Sequence, residues 1–469
     1  MKLMHGVAWS ALRGWGSRAI NFAVFFISAR YLAPADIGVF SLVAAYLMIV
    51  QVFGEGGLAD FIVQRTEQNA RQDSVIFFAQ LANSLTLGLL LLASSPWLAP
   101  KLIAHPDAVL IFVCCVITIP LGAAARVPEA LLKRDLRFKA LAYRGLIMSA
   151  VAGVVGVVLA YRGFGVWALV IKALVEVIVD GTAIFLASRW MPMRIARADF
   201  YLLKQPYAYG KHLIGAKLTD ALYQRIDVFL IGHFVGNSAL GFYAVGQKVY
   251  QALLEVLSRV FANVAVPYMA REKHDPLAVR RVYYQFVQLV ALICLPTFVY
   301  IFLFARELIV LLFGPVWVDA TWILQAFCVL GAVNCIAFFN GHVLVAMGDS
   351  KAFFGVLLKK AAVLIVFCLV GAGFGLTGIV IAVVAAGIAA VPISYRCMQR
   401  WIDVDLKGLG KALWKGTVLA VIAGVVVAIA KLVLMHDTGL TKLIFSSFSF
   451  ALIIVAAYVP MIRKKMATP

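Results

Sequence analysis

Polar side chains with helical spacing interrupt a segment that is otherwise apolar. In "AKLTDALYQRIDVFLIGHF" (216–234), Lys217, Asp220, Gln224 and Asp227 follow one another at intervals of 3, 4 and 3 residues, which places them on one face of an α-helix. Each charge would cost about 2.5–3.5 kcal/mol at the centre of a membrane helix. Such a face therefore points into a packed interface or a water-filled cavity, where it can hold a charged ligand.

The neighbouring apolar segments carry similar faces, so the sequence offers both cations and acids inside a membrane. Lys and Arg attract phosphate, and Arg can hold two phosphate oxygens at once. We predict that a phosphate-bearing ligand meets the cationic residues Arg13, Arg18, Lys217, Arg225, Lys248 and Arg259. Acids that are partly removed from water can exchange protons or coordinate a cation, and the candidates are Asp220, Asp227 and Glu255.

A structural interpretation of these charges stays open beside the functional one. Opposite charges on neighbouring helices, or four residues apart on one helix, can neutralise each other and serve assembly alone. The pairs that the sequence suggests are Arg13 with Glu55, Lys172 with Glu176 and Lys248 with Glu255. We favour this interpretation for Lys172 and Glu176, and the cavity for the helices that begin at residues 7, 212 and 239.

The composition requires a membrane protein. Of the 469 residues, 64% are hydrophobic and 14% are charged, whereas soluble domains have about 45–50% and about 25%. Apolar runs long enough to cross a bilayer recur along the whole chain. They predict an all-α protein with about fourteen spans, at 7–31, 38–58, 75–95, 108–126, 143–160, 166–188, 212–233, 239–264, 283–304, 320–347, 354–371, 377–396, 412–430 and 443–462.

The net charge of +20 reflects topology rather than a nucleic-acid partner. Most Lys and Arg residues fall in the loops on one side of the predicted spans, which by the positive-inside rule places both termini in the cytoplasm. The first span lacks a signal-peptide cleavage site and is expected to be retained. The seven histidines and seven cysteines show no metal-ligand spacing, so neither a metal nor another cofactor is predicted.

Two sequence echoes indicate an internal repeat. "RGFGVWALVI" (162–171) resembles "AGFGLTGIVI" (372–381), and "APADIGVFSL" (33–42) resembles "GNSALGFYAV" (236–245). The offsets are 210 and 203 residues, so spans 1–6 correspond to spans 7–12. Six spans are an even number, and the two bundles then share one orientation about a pseudo-two-fold axis along the membrane normal. We predict lobes at 1–190 and 206–400, followed by an extra transmembrane hairpin at 410–465.

Six stretches in chain order carry a family resemblance. They are "ARYLAPADIGVFSLV" (29–43), "GGLADFIVQR" (56–65), "LLKRDLRFKALA" (131–142), "GFGVWALV" (163–170), "QRIDVFLIGHFVGNSALGFYAVGQKV" (224–249) and "LLFGPVWVDATWIL" (311–324). With these stretches the sequence resembles the polysaccharide transporter branch of the multidrug/oligosaccharidyl-lipid/polysaccharide exporter superfamily, that is, the Wzx-type lipid-linked oligosaccharide flippases. It looks most similar to their colanic-acid-exporter-like subgroup.

The resemblance implies a transporter of the bacterial inner membrane and not an enzyme. Its substrate would be an undecaprenyl-diphosphate-linked oligosaccharide for surface polysaccharide, moved from the cytoplasmic to the periplasmic leaflet by alternating access with a proton or Na⁺ gradient. A polysaccharide polymerase and chain-length proteins would be its partners, besides the bilayer. Candidate sugar contacts are aromatic and amide residues such as Trp15, Tyr46, Tyr223, Tyr250, Asn334 and Asn340.

Two other functions stay open at the level of the sequence. A multidrug or cation antiporter of the same superfamily would use the acids, and the intramembrane bases only slightly outnumber them. A polymerase or ligase enzyme would need a place for chemistry outside the membrane, and the predicted external loops are short.

Overall fold

The computed structural model describes residues 2–65 and 68–433, except the side chains of 2–15, 212, 256–264, 350, 430, 432 and 433. Every regular element in this part is a helix. The α-helices are α1 (Lys2–Ala29), α2 (Pro34–Glu55), α3 (Leu58–Gln64), α4 (Ala70–Leu102), α5 (Ala108–Arg134), α6 (Phe138–Tyr161), α7 (Val166–Ser188), α8 (Lys204–Phe234), α9 (Asn237–Arg271), α10 (Pro276–Leu303), α11 (Ala305–Phe313), α12 (Thr321–Ala346), α13 (Ser350–Ala372), α14 (Gly375–Met398) and α15 (Leu406–Val433). Two 3₁₀ helices cover Arg197–Leu203 and Pro315–Ala320.

The prediction of an all-α membrane protein is confirmed. A long helix covers each of the first thirteen predicted spans. Within the described residues, nine helices are long and apolar enough to cross a bilayer. Helices α7 and α8 are not among the nine, since each carries at least three charged residues along its length. The count of fourteen spans stays a prediction, because the last one, 443–462, lies outside the described residues.

The segment between the predicted spans at 283–304 and 320–347 is not an irregular loop. It folds as α11 followed by the second 3₁₀ helix. Phe313 and Trp317 are buried there and pack against each other, with ring centroids 6.4 Å apart. Their burial compensates the cost of ordering a segment too short to be a span.

The chain divides into two compact units, residues 1–241 and 242–469. In the first unit, α1 packs on α6, α4 on α5, α5 on α7 and α2 on α8. Its main core joins α2, α5 and α7 through side chains such as Val43, Phe112 and Val170. This unit contains α8, which the sequence assigned to the second lobe; the predicted lobes at 1–190 and 206–400 stay a prediction.

In the second unit, α10 packs on α12 and α15, and α14 packs on α12 and α13. A buried hydrogen-bonded chain joins three of these helices: the Tyr283 hydroxyl donates to Asn340 Oδ1 at 2.8 Å, and the Asn340 amide donates to Ser394 Oγ at 3.2 Å. Such polar contacts hold membrane helices together where apolar burial cannot. Helix α15 is the first half of the predicted hairpin at 410–465, and the second half lies outside the described residues.

The two segments of the weaker sequence echo contact each other reciprocally. A Cβ on Gly38 would lie 1.8 Å from the backbone oxygen of Asn237, and a Cβ on Gly241 would lie 1.9 Å from that of Pro34. Gly38 and Gly241 are equivalent at an offset of 203 residues, and so are Pro34 and Asn237. Gly38 meets Asn237, and its equivalent Gly241 meets Pro34, which is the equivalent of Asn237. A local two-fold axis produces a reciprocal contact of this form.

Candidate functional site

A polar cavity of about 470 Å³ lies in the first unit at the end of α2, and we call it the Lys217 cavity. Gly56 and Gly57 end α2 with φ of +58° and +65°, a left-handed conformation that favours glycine. This turn starts α3 in a new direction and presents Asp60 to α8. Gly210 of α8 approaches so closely that a Cβ there would lie 2.2 Å from the Gly56 backbone oxygen.

Lys217 of α8 is held by two carboxylates. Its Nζ donates to Asp60 Oδ2 at 2.6 Å and lies 3.6 Å from Glu55 Oε2. The Lys217 and Asp60 side chains are 32% and 46% exposed, so water screens the pair and its net contribution is on the order of 1 kcal/mol or less. The pair therefore contributes only weakly to holding α8 against α3.

Helix α5 supplies the other charges of this cavity. Arg126 pairs with Glu55 and lies 3.9 Å from Glu129, and Lys133 Nζ lies 3.0 Å from Glu129 Oε1. Residues 126, 129 and 133 are spaced by three and four, so they share one helical face. Together with Lys217 and its two acids they form what we call the charged network.

The charged network continues into a second cavity of about 330 Å³, the Glu176 cavity, which α2, α5, α6 and α7 line. Arg126 and Glu129 line both cavities. Arg144 of α6 lies 3.3 Å from Glu129. It also donates two hydrogen bonds of 2.5 Å to the carboxylate of Asp180 on α7. Arg144 is buried, and its loss would leave Asp180 without this partner, which costs about 3–5 kcal/mol for a buried pair.

The remaining predicted residues of α8 have different surroundings. Arg225 is half-buried, and its Nε donates to Met48 Sδ at 3.4 Å. Within the described residues, no carboxylate pairs with Arg225. Asp220 accepts from the Gln224 amide at 2.7 Å, and Asp227 is 5% exposed and accepts from the Val228 backbone at 2.8 Å.

The other predicted residues lie on α1 and α9. Arg18 is half-buried on α1. Lys248 and Glu255 are half-buried on α9, in the second unit. The side chains of Arg13 and Arg259 lie outside the described residues. The predicted diphosphate and coupling roles of all these residues stay predictions.

Sequence reasoning missed four members of the charged network, Asp60, Arg126, Glu129 and Lys133, and also Arg144, which contacts Glu129. They lie at helix ends, where charge was read as topology. The spacing of Arg126, Glu129 and Lys133 was a signal that could have found these three. The suggested pair of Lys172 and Glu176 is present, with Nζ and Oε2 3.1 Å apart.

The suggested pair of Arg13 and Glu55 stays untested, because the Arg13 side chain lies outside the described residues. The structure places Glu55 beside Arg126 and Lys217. Three of the candidate sugar contacts, Tyr250, Asn334 and Asn340, also have internal partners. Asn340 belongs to the buried chain described above, and the Asn334 amide donates to the Tyr250 hydroxyl at 2.8 Å.

Comparison with known proteins matches residues 27–321 to the family described as "Polysaccharide biosynthesis protein". The chain is 23% identical to the succinoglycan biosynthesis transport protein ExoT of Rhizobium meliloti (strain 1021), over 67% of this chain and 63% of that protein, less than two thirds of its length. It is 22% identical to the teichuronic acid biosynthesis protein TuaB of Bacillus subtilis (strain 168), over 76% of this chain and 74% of that protein.

Two solved structures share the fold. The lipid II flippase MurJ in its inward closed conformation aligns with a TM-score of 0.76 over 97% of this chain and 99% of its own, at 12% identity. An inward-facing multidrug resistance MATE family transporter of the MOP superfamily aligns with a TM-score of 0.64 over 86% of this chain and 99% of its own, at 16% identity.

Proposed function

The chain belongs to the polysaccharide biosynthesis protein family, and we propose that it is a flippase for lipid-linked oligosaccharide. It moves an undecaprenyl-diphosphate-linked oligosaccharide from the cytoplasmic to the periplasmic leaflet of the bacterial inner membrane, for the synthesis of a surface polysaccharide. The transport function named for ExoT, the flippase function named for MurJ and the shared fold support a transporter rather than a membrane enzyme. Both termini lie in the cytoplasm in this proposal.

The observation that carries the proposal is that Arg225 has no carboxylate partner among the described residues. Most cations of the first unit's charged network are neutralised by carboxylates, but Arg225 has only the Met48 sulfur as its polar contact among the described residues. A guanidinium inside a membrane helix is costly unless it has a partner of opposite charge. A diphosphate supplies that charge and matches the two-pronged donor geometry of Arg.

The other predicted cations stay candidates for diphosphate contact in this proposal. They are Arg13 and Arg18 of α1, Lys217 of α8, which shares its charge with two acids, and Lys248 and Arg259 of α9. Asp220, Asp227 and Glu255 carry the coupling ion, a proton or Na⁺, during alternating access. A polysaccharide polymerase and chain-length proteins take the product on the far side of the membrane.

The test uses the native bacterium with this gene deleted and the downstream pathway intact. We expect lipid-linked oligosaccharide to accumulate on the cytoplasmic face and surface polysaccharide to be lost. A plasmid copy should restore both, the Arg225→Ala variant should restore neither at equal expression, and Arg225→Lys should restore them partly, because a point charge replaces a fork. Arg281→Ala, which removes an exposed arginine on α10, is the matched control and should restore both.

A drug exporter is the second candidate, and the Glu176 cavity favours it. Among the described residues, Glu129, Glu176 and Asp180 line this cavity with Arg126 as the one lining cation, so a cationic drug would meet three carboxylates, each of which already has a basic partner. Unchanged lipid intermediates in the deletion strain, together with altered sensitivity to cationic drugs, would support this function and reject the flippase. Export restored by Arg225→Ala would remove Arg225 from the site.

A further inference from the structure

The Lys217 cavity has the size and the lining of a ligand site. Its volume of about 470 Å³ falls within the range of about 300–1,000 Å³ that small-molecule sites occupy. Side chains from five helices line it: Glu55 of α2, Asp60 and Gln64 of α3, Gln80 of α4, four residues of α5, and Tyr209 and Lys217 of α8.

The charges of this cavity cancel. Three acids and three bases line it, and each base is paired with at least one of the acids. A phosphate would meet the carboxylates of Glu55, Asp60 and Glu129, and a free cation would meet the three bases. The cavity therefore favours a neutral polar ligand over an ion.

Gln80 supplies the observation that points to a ligand. Its side chain is 0% exposed, and neither its amide nitrogen nor its amide oxygen has a hydrogen-bond partner among the residues that the structure describes. The other buried amides are satisfied: Gln72 donates to the Leu202 backbone oxygen at 2.9 Å and accepts from Arg65 at 2.5 Å. An unpaired buried amide costs about 1–3 kcal/mol for each group, so a side-chain rearrangement that brings the Gln80 donor and acceptor into contact with a ligand in the cavity would be favourable.

We propose that the Lys217 cavity binds a sugar residue, with Gln80 as its central contact. A sugar hydroxyl both donates and accepts, which matches the two ends of the Gln80 amide. The charged pairs around it present further donors and acceptors, and Tyr209 adds a hydroxyl and an aromatic face beside Phe61, with ring centroids 6.1 Å apart. The inference rests on the proposed function, in which the sugar belongs to the lipid-linked oligosaccharide, and it assigns the glycan to a subsite separate from Arg225.

The test measures binding to the full-length protein in lipid nanodiscs. The first probe is undecaprenyl-diphosphate-linked oligosaccharide extracted from the deletion strain, and the second is undecaprenyl diphosphate without sugar. The third is the oligosaccharide released from the lipid by mild acid, used as a competitor. The variants are Gln80→Met, Tyr209→Phe and Arg225→Ala, with Gln285→Met on the exposed side of α10 as the matched control.

We expect Gln80→Met to weaken binding of the glycan-bearing lipid about tenfold, because two hydrogen bonds are lost, and to leave undecaprenyl diphosphate unaffected. Arg225→Ala should weaken binding of both lipids, and Gln285→Met of neither. Competition by the released oligosaccharide that disappears in Gln80→Met would show that the subsite takes a free sugar. Its absence, with Gln80-dependent binding of the intact lipid, would show that the sugar enters only on its lipid.

Two results would overturn the inference, and a third concerns the proposed function alone. Equal affinity of wild type and Gln80→Met for the glycan-bearing lipid would overturn it, as would an equal loss of affinity for both lipids in that variant. Met replaces the amide with an apolar group of similar length, so we expect the variant to fold; if it does not, Tyr209→Phe decides by the same comparison. Failure of the wild type to bind either lipid would instead reject the flippase.

Discussion

The close contact between Gly38 and Gly241 gives the sharpest stability prediction. An added Cβ on Gly38 would lie 1.8 Å from the Asn237 backbone oxygen, whereas real Cβ atoms essentially never approach closer than 3.0 Å. The Gly38→Ala variant must therefore separate the two segments by at least 1.2 Å, the difference between those distances. Because the obstacle is backbone and not a flexible side chain, the contact cannot adapt by a rotamer change.

The magnitude follows from two opposing effects. Overpacking of this kind costs about 1–3 kcal/mol, and Ala gains about 1 kcal/mol over Gly in a helix interior. Gly355→Ala in α13 is the matched control, since a Cβ there meets no atom within 4 Å. Both variants gain the helix preference, so the difference between them isolates the steric cost of about 1–3 kcal/mol.

The assay is thermal unfolding in detergent, followed by a dye that reacts with the buried thiols of Cys115, Cys294 and Cys328 as they become exposed. We expect Gly38→Ala and Gly241→Ala to unfold at lower temperature than Gly355→Ala. The double variant should lose less than the sum of the two, because one separation relieves both clashes. Midpoints equal to that of Gly355→Ala, or full additivity, would refute the reciprocal contact.

Two further predictions concern charged contacts. The double variant Lys217→Asp with Asp60→Lys should recover much of the export that either single reversal loses. Export is measured as surface polysaccharide in the deletion strain. A double variant as inactive as the single variants would contradict a role for the pair. At the linker before α15, the Tyr284 hydroxyl donates to Asp405 at 2.6 Å, which lowers the pKa of that carboxyl below its ordinary 3.8. A carboxyl whose pKa is lowered in the folded state stabilises the fold at pH values above its ordinary pKa of 3.8, and this stabilisation is lost as the pH falls through the folded-state pKa. The difference in melting temperature between wild type and Tyr284→Phe should therefore shrink as the pH falls below 3.8. A difference that does not depend on pH would contradict this prediction.

The sequence by itself determined that the chain is helical and crosses a membrane, and it predicts the repeat. These properties are written in local patterns: apolar runs of span length, Gly and Pro at the turns, and the echo of 33–42 in 236–245. Even the pair of Lys172 and Glu176 could be predicted, because residues four apart on a helix meet whatever the rest of the chain does.

Only the tertiary structure decided which charges neutralise each other and which buried polar groups lack a hydrogen-bond partner among the described residues. Lys217 meets Asp60 across 157 positions of sequence, and Arg144 meets Asp180 across 36. Such pairs depend on which helices pack together and in what rotation, and hydropathy carries no information about either. Gln80 looks like any amide at the start of a span in the sequence. Its unpaired state arises because α4 packs it against a cavity whose charged groups pair with one another.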